Sequence, residues 1–428
     1  MKKVSQRAFS SLILALLVVI GLTIYCVRYI NDGEDWALYF DEATSNCKYT
    51  LLDRNDVVLA QMGGGGKYYS DDANIRTACY QLVGDYGGNI GTGVLQNFSK
   101  QLSGYSLITG IEEQDDVNLK ITVDSRLNRK AYEALNGRSG AVLVSNYKTG
   151  EVLCMASSPS IDPNNPPDAL PDGVYINRCL SSAFTPGSIF KLITLTAAID
   201  NISNLYQRSF TCKGSMDVMG VKVTCIDTHG EQTIEQALAN SCNCAFGQLA
   251  LELGADTLEE YAEKLGITTQ HKLDSIVTVA GNYEGDTAAS SAQAWSGIGQ
   301  YKDLVCPYSM LRLVSAIANS GTVVEPSLLG TSEVTTPLMT PDTADKISSM
   351  MNYDVVYKYG TGSFPGLNIS GKTGTAETGN GKENHAWLVG FLNDEAHPYA
   401  FVVLVENGGS GLRAAGSVAN TVLQAAVK

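Results

Sequence analysis

Thr185-Pro186-Gly187-Ser188-Ile189-Phe190-Lys191 is the stretch on which the reading of this chain turns. A Pro-Gly turn followed at once by an apolar run predicts a helix over Ser188–Ile202. A serine at a helix start has its backbone N–H pointing outward, and the helix dipole there favours negative charge. Lys191 follows three residues later, so one helical turn brings its amine beside the Ser188 hydroxyl. A desolvated lysine near other cations loses its proton readily and can then take the serine's. Further along the chain stand Ser241-Cys242-Asn243 and then Lys372-Thr373-Gly374-Thr375. Each short motif is common by chance. In this order, S-x-x-K, S-x-N and K-T-G supply an acyl-transfer site whose base is a lysine rather than a histidine. Ser241 can relay a proton to a leaving amine. Asn243 can orient Lys191 and hold a substrate amide. Lys372 brings positive charge toward the relay serine and a substrate carboxylate, which Thr373, Gly374 and Thr375 would bind. The backbone N–H groups of Ser188 and Thr375 would form an oxyanion hole if the strand edge faces the helix start.

The rest of the sequence bounds what surrounds this chemistry. The chain has 428 residues, room for about two or three domains, and 44% of them are hydrophobic, enough for a core without disulfides. The formal net charge of −14 disfavours nucleic acid and anionic lipid surfaces as partners. From Ala8 to Val27 no residue is charged, and the run is rich in Leu, Ile and Val. About 20 residues make one membrane-spanning helix. Lys2, Lys3 and Arg7 precede the run, and Asp32, Glu34 and Asp35 follow Arg28, which orients the N-terminus to the cytoplasm and the remainder outside. A cleaved signal peptide would have a shorter apolar core, about 7–15 residues, and a small-x-small cleavage site, which Thr23–Arg28 does not offer. An uncleaved single-pass anchor is expected, over residues 8–30, after a tail of residues 1–7.

Residues 31–118 read as a small N-terminal region. It holds a hairpin-like stretch from Tyr49 to Ala60 turning at Asn55-Asp56. Its glycine clusters, Gly63–Gly66 and Gly84–Gly93, lack the pattern of a phosphate loop and are expected to be turns. Leu119–Asp124 reads as a strand and Ser125–Leu135 as a helix capped by Asp124. Gly140–Ser145 and Glu151–Ala156 form a predicted hairpin, Ile369–Thr375, His385–Leu392 and Tyr399–Glu406 a predicted antiparallel meander, and Ser417–Val427 a closing helix.

With these residues in hand the chain resembles a class B penicillin-binding protein, a membrane-anchored D,D-transpeptidase of peptidoglycan synthesis. The resemblance includes Gly140-Ala141-Val142 with Gly150-Glu151-Val152, Asp162-Pro163-Asn164, Gly299-Gln300, Ala318-Asn319-Ser320-Gly321, His385-Ala386-Trp387 and Val389-Gly390-Phe391. It covers residues 119–428, and Asp53–Ala60 is similar to a D-R-N-G-x-x-L-A segment of the family with Asp56 in place of the usual glycine. It implies an α+β fold, a serine β-lactamase/transpeptidase-like domain over 119–428 with an antiparallel sheet between helical layers. It implies that Ser188 attacks the D-Ala-D-Ala bond of a stem peptide, that the acyl-enzyme passes to an amine of a neighbouring strand, and that β-lactams acylate the same serine. It also implies a SEDS-type membrane polymerase as partner. The rivals are a D,D-carboxypeptidase or β-lactamase with the same triad, and a non-catalytic penicillin-binding scaffold. A β-lactamase would carry a further carboxylate for deacylation, which the sequence does not reveal; a sensor would need a cytoplasmic signalling part, and about seven residues precede this anchor.

Ten cysteines leave several pairings open. Cys212, Cys225, His229 and Cys242 are spaced so that three thiolates and one imidazole could bind a structural zinc. A Cys212–Cys225 disulfide closing a hairpin, or free buried thiols, are the alternatives, and no cofactor is otherwise expected. His271 and His397 read as surface residues, and His385 and Glu377 as structural ones near the cleft.

Overall fold

The computed structural model describes residues 2–36, 48–63, 66–103, 105–106, 110–111, 117–286, 288, 290–379 and 381–428. The first helix, α1, spans Lys2–Trp36, and its stretch Arg7–Ile30 is the one helix among the described residues long and apolar enough to cross a membrane.

The N-terminal region builds a four-stranded sheet from β1 (Tyr49–Leu52), β2 (Val58–Gly63), β3 (Gly66–Tyr69) and β4 (Val117–Lys120), in the order β3-β2-β1-β4. β1 and β2 are antiparallel, as the alternation predicts, and β1 and β4 are parallel. The turn between β1 and β2 is held by Asp53, whose Oδ1 accepts the N–H groups of Asn55 and Val57. Asp56 sits there at φ +64°, a left-handed position a glycine would occupy without strain. The strand expected over Leu119–Asp124 is displaced: the ladder ends at Lys120. Beyond it the backbone is bound to scattered partners, Thr122 N–H donating to Leu328 O and Val123 O accepting from Arg54 N–H.

Two helices join this sheet to the rest. α2 (Ala73–Val83) and α3 (Ser125–Leu135) are capped by Asp72 and Asp124, each accepting two backbone N–H groups. Arg76 on α2 makes a two-pronged ion pair with Asp162, 2.7 Å on both arms, and buried Asn128 on α3 donates to Ala78 O. One core cluster runs from Tyr49, Leu51 and Phe98 through to Ala141 and Leu143, so packing is continuous across the expected boundary at residue 118.

The central sheet comprises β5 (Gly140–Asn146), β6 (Val152–Ser158) and the later β11 (Ile369–Ala376), β12 (His385–Leu392) and β13 (Tyr399–Val405), in the order β11-β12-β13-β5-β6, antiparallel throughout. Between them in sequence come α4 (Lys191–Asn201), the short strands β7 (Phe210–Cys212), β8 (Ser215–Val218), β9 (Val221–Thr224) and β10 (Gly230–Gln232), and the helices α5 (Asn243–Lys264), α6 (Pro307–Ala318) and α7 (Pro341–Asp354). α8 (Ser417–Ala426) closes the chain. Alternate sheet residues feed two cores. Leu143, Val389, Val402 and Leu404 pack with α4 and α6 on one face, while Val142, Val144, Leu388 and Val403 pack with α3 and α8 on the other. A sheet covered on both faces explains why these strands read as unbroken apolar runs. The architecture is the expected antiparallel sheet between helical layers.

Candidate active site

Ser188 lies in a tight 3₁₀ turn, Gly187–Phe190, and the α-helix proper begins only at Lys191, three residues later than the sequence suggests. Gly187 has φ +55° and donates its N–H to Gly299 O at 2.8 Å. A Cβ there would lie 2.6 Å from the carbonyl oxygen of Thr375, so the turn rests directly on β11. Gly187→Ala is therefore expected to force the two apart. It should destabilise the fold by about 1–3 kcal/mol and slow acylation of Ser188, as read from thermal unfolding and adduct formation. An unchanged melting temperature would remove this contact from the account.

The three motifs converge. Lys191 is fully buried, and its Nζ lies 2.6 Å from Ser241 O, 2.8 Å from Asn243 Oδ1, 3.1 Å from Ser188 Oγ and 3.2 Å from Ser241 Oγ. The two shortest partners can only accept, so they take two N–H bonds. The remaining position faces two hydroxyls that can donate, which is where a neutral amine carries its lone pair. Burial first, and then the charge of Lys372, lower the Lys191 pKa to about 7. Ser241 adopts φ +51°, a strained conformation for a serine, which aims both its carbonyl and its hydroxyl at the same amine.

Lys372 on β11 is also fully buried. Its Nζ lies 3.4 Å from Ser241 Oγ, 3.1 Å from Thr373 O and 3.5 Å from Asp354 Oδ2. Burial lowers its pKa, opposed by Asp354. Asp354 was not among the expected site residues. It ends α7, is itself fully buried, and has its pKa raised to about 6 by burial, with Lys372 pulling the other way. Tyr359 donates to Asp354 Oδ2 at 2.8 Å and accepts the Thr373 N–H at 2.8 Å, tying this carboxyl to the strand. A signal existed: Ile347, Met350, Met351 and Asp354 fall on one buried helical face, and a carboxylate on an apolar stripe needs a partner.

These groups edge a cleft of about 270 Å³, lined by Ser188, Ser241, Asn243, Thr373, Thr375 and Glu377 among others. Thr373 turns its N–H away from β12 to reach Tyr359, so by strand alternation Thr375 turns its backbone the same way, toward Gly187 and the cleft. Gly374 points elsewhere: a Cβ would meet Pro186 O at 2.7 Å and Trp387 at 3.1 Å, so its bareness lets the strand approach the turn. Asn243 spends one amide N–H on Thr224 O at 2.8 Å.

Cys212, Cys225, His229 and Cys242 also come together, with ligand atoms all within 4.8 Å of one another. The nine described cysteines are free thiols. Cys212 and Cys225 are near each other but stand as separate thiols, and Cys212 on β7 pairs in its ladder with Gly230 on β10. His271 is not a surface residue. It is half-buried, its Nε2 lying 2.6 Å from Gly266 O and 3.2 Å from Arg312. His385 stacks edge-on against Phe184, a packing role as expected.

Residues 140–427 match the family model of the penicillin-binding protein transpeptidase domain. The chain belongs to that family. The resemblance to class B penicillin-binding proteins read from the motifs is thus borne out. Among its relatives is the peptidoglycan D,D-transpeptidase PbpA of Mycobacterium tuberculosis, 28% identical over 73% of this chain and 72% of that protein. The stage V sporulation protein D of Bacillus subtilis is 28% identical over 72% of this chain and 53% of that protein. The D,D-transpeptidase domain of a peptidoglycan glycosyltransferase from Eggerthella lenta superposes with a TM-score of 0.76 at 25% identity, covering 90% of this chain and 98% of that one. Penicillin-binding protein A of M. tuberculosis, as a ceftriaxone acyl-enzyme complex, has the same fold with a TM-score of 0.77 at 22% identity, over 91% and 100% of the two chains.

Proposed function

We propose that this family member is a peptidoglycan D,D-transpeptidase working through an acyl-enzyme on Ser188. The observation that carries the reading is the Lys191 amine, desolvated and within hydrogen-bond reach of both Ser188 Oγ and Ser241 Oγ. In the first half-reaction Lys191 takes the Ser188 proton as Oγ attacks the penultimate D-Ala carbonyl carbon. The oxyanion faces the backbone N–H groups of Ser188 and Thr375. The C–N bond then breaks, and the proton passes by way of Ser241 to the leaving D-Ala amine. Lys372 holds positive charge beside Ser241 throughout. In the second half-reaction the amine of a neighbouring stem peptide attacks the ester carbonyl, the C–Oγ bond breaks, and a proton of that amine passes by way of Lys191 to Ser188 Oγ, leaving a cross-link and the free serine. A β-lactam would acylate the same serine and, having no separate leaving group to depart, stay in place.

The basic residues Lys2, Lys3 and Arg7 before the apolar run and the acidic ones after Arg28 support an orientation with the catalytic domain outside the membrane. A SEDS-type polymerase would then meet α1 and residues 31–118, a partner supported by the family resemblance alone.

The test is intact mass of the full chain in detergent after incubation with a penicillin, beside Ser188→Ala. A long-lived adduct on the parent protein and none on Ser188→Ala is expected. Turnover of the drug within seconds, with no lasting adduct, would replace this reading with a β-lactamase. No reaction at all would favour a non-catalytic scaffold.

A further inference from the structure

The loop that carries the S-x-N motif holds a second constellation that the reaction does not use. Cys212 ends β7, Cys225 follows β9, His229 precedes β10 and Cys242 immediately precedes α5. Cys225 Sγ lies 3.5 Å from His229 Nδ1 and 3.9 Å from Cys242 Sγ. With Zn–S near 2.3 Å and Zn–N near 2.0 Å, a tetrahedral zinc requires edges of about 3.5 Å between sulfur and nitrogen and about 3.8 Å between sulfurs. A disulfide would require about 2.05 Å. The widest edge, within 4.8 Å, needs a shift of about 1 Å or less to close on a metal. Backbone N–H groups already point at the sulfurs, from Asn243 to Cys225 at 3.3 Å and from Ala245 to Cys242 at 3.5 Å. Such donors stabilise thiolates and belong to the outer shell of a metal site.

The geometry points to a zinc centre formed by Cys212, Cys225, Cys242 and His229 Nδ1. Three thiolates and one imidazole in a tetrahedron exclude magnesium and calcium, which want oxygen, and suit zinc. Binding releases the thiol protons. The metal would fasten the end of β9 to the middle residue of Ser241-Cys242-Asn243, while Thr224 O, one residue before Cys225, already holds the Asn243 amide. Asn243 in turn holds Lys191 at 2.8 Å. The four ligands are therefore positioning residues for the lysine. None touches the reacting atoms.

Metal content is read without reference to any reaction, so failure here is separable from failure of the transpeptidase reading. The full chain would be expressed in zinc-replete medium, purified in detergent without chelator and analysed by elemental mass spectrometry. About one zinc per chain is expected. Close to none is expected in Cys225→Ser and in His229→Ala, and the parent value in Cys26→Ser, whose thiol lies on α1. Because the variants can misfold, parent protein stripped with a chelator would also be titrated with Co²⁺. Tetrahedral thiolate–cobalt absorption should appear at one equivalent and vanish when zinc is added. Acylation of Ser188 by a fluorescent penicillin should slow about tenfold or more on stripping and recover with zinc. Absence of both zinc and the cobalt spectrum overturns the proposal, as does zinc retained in the two ligand variants, or a Cys225–Cys242 disulfide found by peptide mass in unreduced protein.

Discussion

Lys191→Ala is expected to slow acylation of Ser188 by a penicillin about 10²–10⁴-fold, the usual contribution of a positioned general base. The parent protein should show an acid limb in the acylation rate, rising with pH to a midpoint near 7. The sign follows from the chemistry. Below the midpoint Lys191 is an ammonium with all three protons committed and no lone pair to receive the serine's. Above it, two N–H bonds still go to Ser241 O and Asn243 Oδ1, and the lone pair is left for a hydroxyl. The alanine variant should lose this limb with its rate. Lys191→Met keeps most of the buried stem and isolates the loss of the amine from the loss of volume, so it should match the alanine variant in rate while melting higher. Rates measured from pH 5 to 9 by rapid mixing decide the matter, and a flat profile in the parent protein would dismiss Lys191 as the base.

Asp354→Ala is expected to lower stability by about 3–5 kcal/mol at pH 7, because it strands a fully buried lysine without its counter-charge. The ceiling has an independent origin. Lys372 can escape by giving up its proton, and doing so at pH 7 from an ordinary value near 10.4 costs about 5 kcal/mol. In that case the unfolded chain binds one proton more than the folded variant. Stability then rises with pH, and the deficit should shrink by about 1.4 kcal/mol per pH unit up to about pH 10. Thermal unfolding of parent and variant in detergent at pH 7 and pH 9 tests this; equal deficits at both would mean that Lys372 is not what suffers. Tyr359→Phe keeps the ion pair but removes its hydrogen bond to Asp354 and the acceptor of the Thr373 N–H, so a loss of about 2–3 kcal/mol is expected.

The triad was legible because its motif residues are fixed by chemistry: a nucleophile and its base one turn apart, a relay hydroxyl, a cation on a strand. The core strands were legible because two covered faces leave little freedom in composition. Asp354 and Tyr359 were not, since a support for Lys372 can come from any element that reaches it, and the only trace was one acid on an apolar stripe. The strand expected to run from Leu119 to Asp124 was misplaced for a related reason. Ile121 and Val123 alternate inward as a strand would, but side-chain alternation records burial and is silent on which backbone answers each N–H. The late start of the α-helix at Lys191 is equally invisible in composition, because a 3₁₀ turn and an α turn accept the same residues.

β11 is one of the two edge strands of the central sheet, and such a strand is ordinarily an aggregation hazard, a row of backbone groups ready to recruit another chain. Here the hazard is confined rather than removed. The Gly187 turn covers the border at the Thr375 carbonyl and the Tyr359 hydroxyl takes the Thr373 N–H, and the side chains of Thr373, Thr375 and Glu377 line the cleft beside them. A cleft of about 270 Å³ leaves no room for a second sheet, so the unfinished edge that would make a free sheet sticky is kept from pairing with whole proteins.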